Sequence, residues 1–203
     1  QKVYFKARFS QSLRLVKSGD GYGVFEVANP KEPLIVRVGL SATSIAGAGR
    51  NLDSELGGAD FDRVAMAADK AWEDALEKVK ISADDATRQV FYTAMFHAFN
   101  APSLFDDVDG SYRGADGQVH RSQDGSHNYT TFSLWDTYRA EMPLLSIVAP
   151  SRVSDMGKTF LRIFDEQGRL PVWHLMGNET DCMVGNPAIP VLADMVLKGH
   201  VTD

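Results

Sequence analysis

The chain has 203 residues, of which 44% are hydrophobic and 24% charged, values typical of a globular protein. The 21 basic residues stand against 27 acidic ones, and the formal net charge of -6 argues against a nucleic-acid-binding protein, because such proteins usually carry a basic surplus. No stretch approaches the roughly 20 apolar residues of a transmembrane helix. The single cysteine, Cys182, excludes a disulfide within the chain.

The first 43 residues predict β-structure. Apolar and polar residues alternate from Val3 to Phe9, which is typical of a half-buried strand. Apolar runs at 24–27 and 34–40 predict two further strands, and prolines break the chain between them. Three such strands would form the edge of a sandwich and not a complete one.

The composition then changes, and helical periodicity takes over. Residues 44–60 are rich in glycine and alanine, and we interpret them as a linker with some helix. From Phe61 apolar residues recur every three or four positions, which predicts a helix with Asp60 as its N-cap. A second helix is expected from about residue 84 to 99, with five residues facing inward: Val90, Phe91, Ala94, Met95 and Ala98.

Residues 100–131 are a predicted long loop, and helices resume after it near Leu134. One of these helices ends at Gly168, and the last one has Asn186 as its N-cap and Pro187 at its first position. Strands followed by helices fit an α+β class or two separate domains. Five helical segments without strands between them favour a helical toroid or bundle for residues 61–203.

The long loop contains an aspartate-rich segment that partly matches the calcium-binding loop of an EF-hand. Asp107, Asp109, Gly110 and Asp116 fall at the third, fifth, sixth and twelfth positions of such a loop. Phe105 stands at the first position, where an oxygen ligand is required. We therefore favour a loop of Asx and glycine turns, with a loop that shapes a polar pocket as the next alternative.

Two further segments place a tryptophan close to carboxylates, which is how proteins hold a sugar ring. In the first, Trp135, Asp136 and Arg139 lie within one and a half helical turns, so that Asp136 and Arg139 can pair. In the second, Glu179 is a candidate general acid or ligand for substrate hydroxyls, with capping of the last helix as the alternative. The same segment contains His174, which could titrate near neutrality but is more often a residue that satisfies local hydrogen bonds. From the residues alone, a carbohydrate-active helical domain is the favoured interpretation.

An ordered set of motifs resembles the exo-α-mannosidases of glycoside hydrolase family 92. The motifs are FYTAMFH at 91–97, DVDGSYRG at 107–114, NYTTFSLWDTYR at 128–139, LPVW at 170–173, GNET at 177–180 and CMVG at 182–185. The resemblance covers essentially the whole chain. It implies a multidomain α+β protein in which residues 1–43 end an N-terminal β-sandwich, 44–60 form a linker and 61–203 begin an (α/α)6 catalytic toroid.

The resemblance also implies an activity and a location. Enzymes of this family remove terminal α-mannose, often α-1,2-linked, from N-glycans and mannans with inversion and with the help of calcium. They are typically bacterial and exported, to the periplasm, the cell surface or the medium. The motifs of the general acid, the base and the metal ligands are not found here, which implies a segment of a longer enzyme with calcium ligands outside it.

What the resemblance assigns to this segment is the binding of a mannose-containing oligosaccharide. The implied substrate-binding residues are Trp135, Asp136, Arg139, Glu179 and Asn186. Because no catalytic residue is assigned, a non-catalytic carbohydrate-binding or structural segment is an alternative. Another (α/α)6 glycosidase, such as a glucosidase, is a second one.

Overall fold

The computed structural model describes residues 2–202 and confirms the mixed α+β class. Two antiparallel strand pairs come first: β1 (Tyr4–Phe9) pairs with β4 (Val36–Ser41), and β2 (Leu13–Gly19) pairs with β3 (Tyr22–Val27). Helices follow, interrupted by short strands. The helices are α1 (Ile45–Glu55), α2 (Phe61–Leu76), α3 (Asp85–Ala98), α4 (Leu134–Thr137), α5 (Glu141–Val148), α6 (Pro150–Gln167) and α7 (Ala188–Leu197). The short strands are β5 (Ser103–Leu104), β6 (Ser111–Arg113), β7 (Val119–Arg121), β8 (Tyr129–Thr130), β9 (Phe132–Ser133) and β10 (Trp173–His174).

Helix ends follow the predicted caps with one exception. The Asp60 carboxylate accepts the Arg63 N–H as predicted, and Asp84, for which no cap was predicted, caps α3 in the same way. Gly168 ends α6 with a φ of 77°, a left-handed conformation that glycine adopts without a steric penalty. The prediction for α7 is wrong by one residue, because Pro187 and not Asn186 is the N-cap and no side chain caps this helix.

The strand that the alternation pattern misses is β2. Leu15 pairs with Phe25 and Lys17 pairs with Val24, so Val16 is an extra residue without an opposite partner. Such a bulge shifts the side chains that follow it to the other face of the strand. The period of two is therefore broken in the sequence of β2 although the strand is present.

The predicted linker contains a regular helix that packs on β4. Ser44 caps α1 by accepting the Gly47 N–H, and Ala48 and Leu52 are buried. Gly39 of β4 makes this packing possible: a Cβ at residue 39 would lie 2.2 Å from the Ala48 carbonyl oxygen. The boundaries of the predicted domains at 43/44 and 60/61 remain predictions.

We expect Gly39→Ala to lower the free energy of unfolding by about 1–3 kcal/mol, because β4 and α1 must separate to admit the methyl group. Gly49→Ala is the matched control, since a Cβ at residue 49 meets no atom within 4 Å. Alanine also favours the helical conformation there, so the control should be neutral or slightly stabilising. Urea unfolding of the two variants in the full-length protein checks this, and equal midpoints would contradict it.

The main core forms around α5, α6 and α7. The rings of Phe132 and Phe160 pack edge to face at 4.8 Å and are almost fully buried. The same cluster holds the side chains of Tyr129, Leu134, Met142, Leu145, Val153, Met156, Ile163, Val191 and Met195.

Several apolar faces that the sequence predicts to be inward are exposed in this chain. No residue of α2 is buried, and Phe61 is 67% exposed. In α3 only Met95 is buried, whereas Val90 is 71% exposed and Ala94 is exposed as well. Phe5 of β1 is 65% exposed, so this strand is not half-buried as predicted. Periodicity identifies which face is apolar, but it does not show which element of the described chain covers that face.

None of the helices described between residues 2 and 202 combines the length and apolar character that a membrane crossing requires.

Candidate functional site

The predicted long loop at 100–131 contains four of the short strands. β5 pairs with β8, and β6 and β7 form a hairpin whose tip includes Gly117, with a φ of 76°. Asx turns shape the aspartate-rich segment: Asp109 accepts the Ser111 N–H, and Asp116 accepts the Gln118 N–H. The interpretation as a loop of Asx and glycine turns is therefore confirmed in its local geometry.

Asp107 joins this loop to the first strands and to α1. Only 4% of the residue is exposed. One carboxylate oxygen accepts hydrogen bonds from the Ser41 and Thr43 hydroxyls, and the other accepts one from the Asn51 amide at 2.8 Å. Asn51 in turn accepts the Val108 N–H at 2.9 Å. The carboxylate thus acts as a buried acceptor for neutral donors.

The carboxylates of the loop do not fit a calcium site. Asp109 forms an ion pair with Arg50 at 2.9 Å, and Asp116 contacts His120 at 3.0 Å. Between residues 2 and 202 no group of three or more histidine, cysteine, aspartate or glutamate side chains could hold a metal ion. The EF-hand spacing therefore corresponds to hydrogen-bond acceptors that serve separate partners.

One face of α6 fastens the loop along its length. The Thr159 hydroxyl accepts the Tyr129 N–H, and Glu166 accepts both the Tyr112 hydroxyl and the Ala115 N–H at 2.8 Å. Burial and the Glu166 carboxylate raise the pKa of Tyr112, which keeps its hydroxyl protonated and donating. On the same face Asp155 accepts the His127 N–H, and Lys158 donates to the Asp124 carboxylate. Arg162 donates to the Ser126 hydroxyl.

Trp135 and Asp136 lie on the short helix α4, directly after β9. Trp135 is 40% exposed and Asp136 is exposed. Among residues 2–202 no hydrogen bond or ion pair engages the Asp136 carboxylate. The predicted pairing with Arg139 is wrong, because α4 ends at Thr137 and the Arg139 guanidinium lies over the ring of Tyr138 at 5.0 Å. Arg139 also donates to the Tyr138 hydroxyl at 2.8 Å.

Glu179 is buried, with only 7% of the residue exposed. Its carboxylate accepts three backbone N–H groups: Val172 on one oxygen, and Trp173 and Thr180 on the other. The alternative that Glu179 caps the last helix is wrong, since all three donors precede α7.

His174 neighbours this carboxylate in β10 and is 3% exposed. Neither ring nitrogen has a hydrogen-bond partner among the described residues. Burial lowers the pKa of His174 to about 4, and the charge of Glu179 opposes this only in part. The expectations of titration near neutrality and of satisfied hydrogen bonds are both wrong, because the imidazole is buried and has no hydrogen-bond partner among residues 2–202.

Two residues with left-handed backbone flank the strand pair of β9 and β10. Thr131 has a φ of 65° and Met176 a φ of 53°. For a β-branched threonine this is a rare conformation, and such strain concentrates at functional sites. The Met176 N–H donates to the Thr130 hydroxyl at 2.6 Å, which joins the two strained segments. Neither residue type announces a turn, so the sequence gives no signal for them.

Of the five predicted site residues, Trp135, Asp136 and Glu179 lie on segments that hydrogen bonds join to each other. Pairing of β9 with β10 brings Trp135 and Asp136 next to the segment that Glu179 holds. Arg139 lies two residues beyond the end of α4. Asn186 is exposed just before α7, and among the described residues no hydrogen bond joins it to the other four. The roles predicted for these residues in sugar binding remain predictions.

The model of the glycosyl hydrolase family 92 catalytic domain matches residues 47–203. A search among curated protein sequences found no match.

Similar solved structures include the GH92 α-mannosidase BT3965 from Bacteroides thetaiotaomicron, with a TM-score of 0.88 and 34% identity over 98% of this chain and 30% of that one. BT3965 is also known in complex with mannoimidazole. The GH92 inverting mannosidase BT2199 of the same species has a TM-score of 0.85 and 24% identity over 99% of this chain. The chain spans about 30% of the length of both relatives. On the strength of the family match, the chain belongs to glycosyl hydrolase family 92.

Proposed function

We propose that this chain supplies part of the sugar-binding surface of a glycoside hydrolase that removes terminal α-mannose. The proposed substrates are N-glycans or mannans with α-1,2-linked mannose. Support comes from the family match over residues 47–203 and from the mannoimidazole complex of BT3965.

The observation that carries the proposal is the contrast between Asp136 and the carboxylates of Asp107 and Glu179. Asp107 and Glu179 are buried, and their oxygens are engaged by side-chain or backbone donors. Asp136 is exposed beside the exposed indole of Trp135. Both residues lie on α4, whose Trp135 N–H donates to the Val172 carbonyl. A free carboxylate can accept two sugar hydroxyls, and an adjacent aromatic face can pack on the apolar side of the ring. In the proposal Arg139 and Asn186 border this surface.

The proposed reaction proceeds with inversion, in which one carboxylic acid protonates the leaving oxygen and a carboxylate activates a water, about 6.5–9.5 Å apart. We place both groups outside residues 2–202. The calcium ion that the resemblance implies would also take its ligands from outside these residues, because the carboxylates described here form no group that could hold it. Export from the bacterial cell belongs to the same proposal.

Asp136→Ala in the full-length protein should lower activity on an α-mannobioside at least tenfold. The reason is that the variant removes the acceptor for the sugar hydroxyls while the fold is expected to persist, since no hydrogen bond or ion pair among residues 2–202 engages the Asp136 carboxylate. Asp165→Ala is the matched control, because Asp165 is an exposed aspartate on α6. Turnover at the wild-type rate for Asp136→Ala would show that Asp136 has no role in binding the sugar.

The alternatives predict different results in the same preparation. A non-catalytic carbohydrate-binding segment would give a calorimetric signal with mannose but no product, and a structural segment would give neither. Another glycosidase would be revealed by a panel of aryl glycosides, in which a sugar other than mannose would be released fastest.

A further inference from the structure

The carboxylate of Glu179 accepts three hydrogen bonds from backbone N–H groups of the surrounding loop. The N–H groups of Val172 and Trp173 donate to it at 2.9 Å each, and the Thr180 N–H donates at 3.1 Å. Three N–H bonds to one carboxylate are charge-assisted and stronger than bonds between neutral groups. With 7% of the residue exposed, the side chain faces the loop and not the solvent.

The backbone that Glu179 holds is the same backbone that supports α4. The Val172 carbonyl accepts the Trp135 N–H at 3.3 Å, and Trp173 pairs with Ser133 across β9 and β10. Val172 therefore has its N–H bound to Glu179 and its carbonyl bound to Trp135. This single residue connects the Glu179 carboxylate to the segment that carries Asp136.

The far side of β10 is fixed as well. Thr180 donates its N–H and its hydroxyl to the Trp173 carbonyl, at 3.2 and 2.8 Å. The loop therefore closes on itself around the Glu179 side chain. Without the carboxylate, the N–H groups of Val172 and Trp173 would lose their acceptor, while the Thr180 N–H would keep the Trp173 carbonyl, and the loop would have to open to hydrate the first two.

From these contacts we propose that Glu179 is a positioning residue: its carboxylate sets the location of Trp135 and Asp136 through the backbone of residues 172–173. The inference rests on the proposed function, because it concerns the same sugar-binding surface. In this arrangement Glu179 acts on the sugar through Asp136 and not by direct contact.

A double-mutant cycle on the full-length protein tests the coupling, with kcat/KM for an α-mannobioside as the readout. Glu179→Ala is expected to cost at least tenfold, and Glu179→Gln less, because an amide keeps one acceptor oxygen of two. Glu179→Ala combined with Asp136→Ala should be no worse than the more damaging single variant by more than about threefold. If Glu179 bound the sugar directly, or if its loss only reduced the folded fraction, the two losses would multiply. A product of the two losses, at least a hundredfold, would overturn the inference.

Amide hydrogen exchange tests the positioning independently of any activity. In Glu179→Gln the amides of Trp135, Val172 and Trp173 should exchange at least tenfold faster, while those of the α6 core stay unchanged. Asp181→Asn is the matched control from the same loop, since Asp181 is exposed and its carboxylate forms an ion pair with Arg169. Unchanged exchange at Trp135 in Glu179→Gln would overturn the positioning role. Faster exchange with no effect of Asp136→Ala on turnover would uphold it and count against the proposed function.

Discussion

Asp107→Ala is expected to lower the free energy of opening of β4, α1 and the aspartate-rich loop by about 4 kcal/mol. The substitution deprives three side-chain donors of their acceptor, and each unsatisfied donor costs about 1–3 kcal/mol. The donors are Ser41, Thr43 and Asn51, which come from the end of β4, the turn after it and α1. Asp107 therefore links segments more than 50 residues apart in the sequence.

Hydrogen exchange of amides in β4 and α1 across a denaturant series measures this opening directly. Asp107→Asn is the matched variant, and we expect it to cost less than half as much. The amide keeps a carbonyl oxygen for Asn51, and a serine or threonine hydroxyl can accept its NH2 group. A loss below about 1 kcal/mol for Asp107→Ala would show that the three donors find other acceptors.

Acidification from pH 6.5 to pH 4 is expected to destabilise the protein through His174, by up to about 3 kcal/mol. The unfolded chain takes up a proton near the ordinary pKa of 6.5, whereas burial holds the folded pKa at about 4. Between these values the unfolded state binds more protons, so stability falls as the pH falls, by about 1.4 kcal/mol per pH unit. Well above pH 6.5 the imidazole is neutral in both states, so the residue contributes no pH dependence there.

Thermal unfolding at pH 7 and at pH 4.5, compared between variants, isolates this contribution. In His174→Leu most of the decrease in stability between pH 7 and pH 4.5 should disappear. The variant removes the group that takes up the proton and puts an apolar side chain in its buried position. The exposed His97 provides the control, and His97→Gln should retain the wild-type pH dependence. An unchanged decrease in His174→Leu would assign the acid sensitivity to other groups.

The parts of the fold that could be predicted from the sequence are those set by local chemistry. Asp60 and Gly168 act within one turn of their helix, so residue type and position suffice to place the helix end. The parts that were missed depend on other segments. The bulge at Val16 is defined only against β3, and the exposure of Phe61 depends on which element covers α2.

The site shows the same division. An indole beside a carboxylate is visible in the sequence, and Trp135 and Asp136 are indeed exposed together. The sequence cannot show where a carboxylate points, and so Glu179 resembles a substrate ligand while its oxygens bind its own loop. The left-handed conformation of Thr131 is imposed by the strands on either side, and its residue type opposes it.

The fastening of the loop to α6 has a consequence for how this part of the family can vary. Long surface loops usually tolerate insertions, because they are exposed and few contacts tie them to the rest of the fold. Here Thr159, Arg162 and Glu166 act as a template that dictates the path of residues 112–129. An insertion in the loop would change the spacing between the loop residues that bind α6. A substitution on this face of α6 would in turn alter the conformation of the loop. The residues on this face of α6 and the loop residues that they bind should therefore change together among relatives.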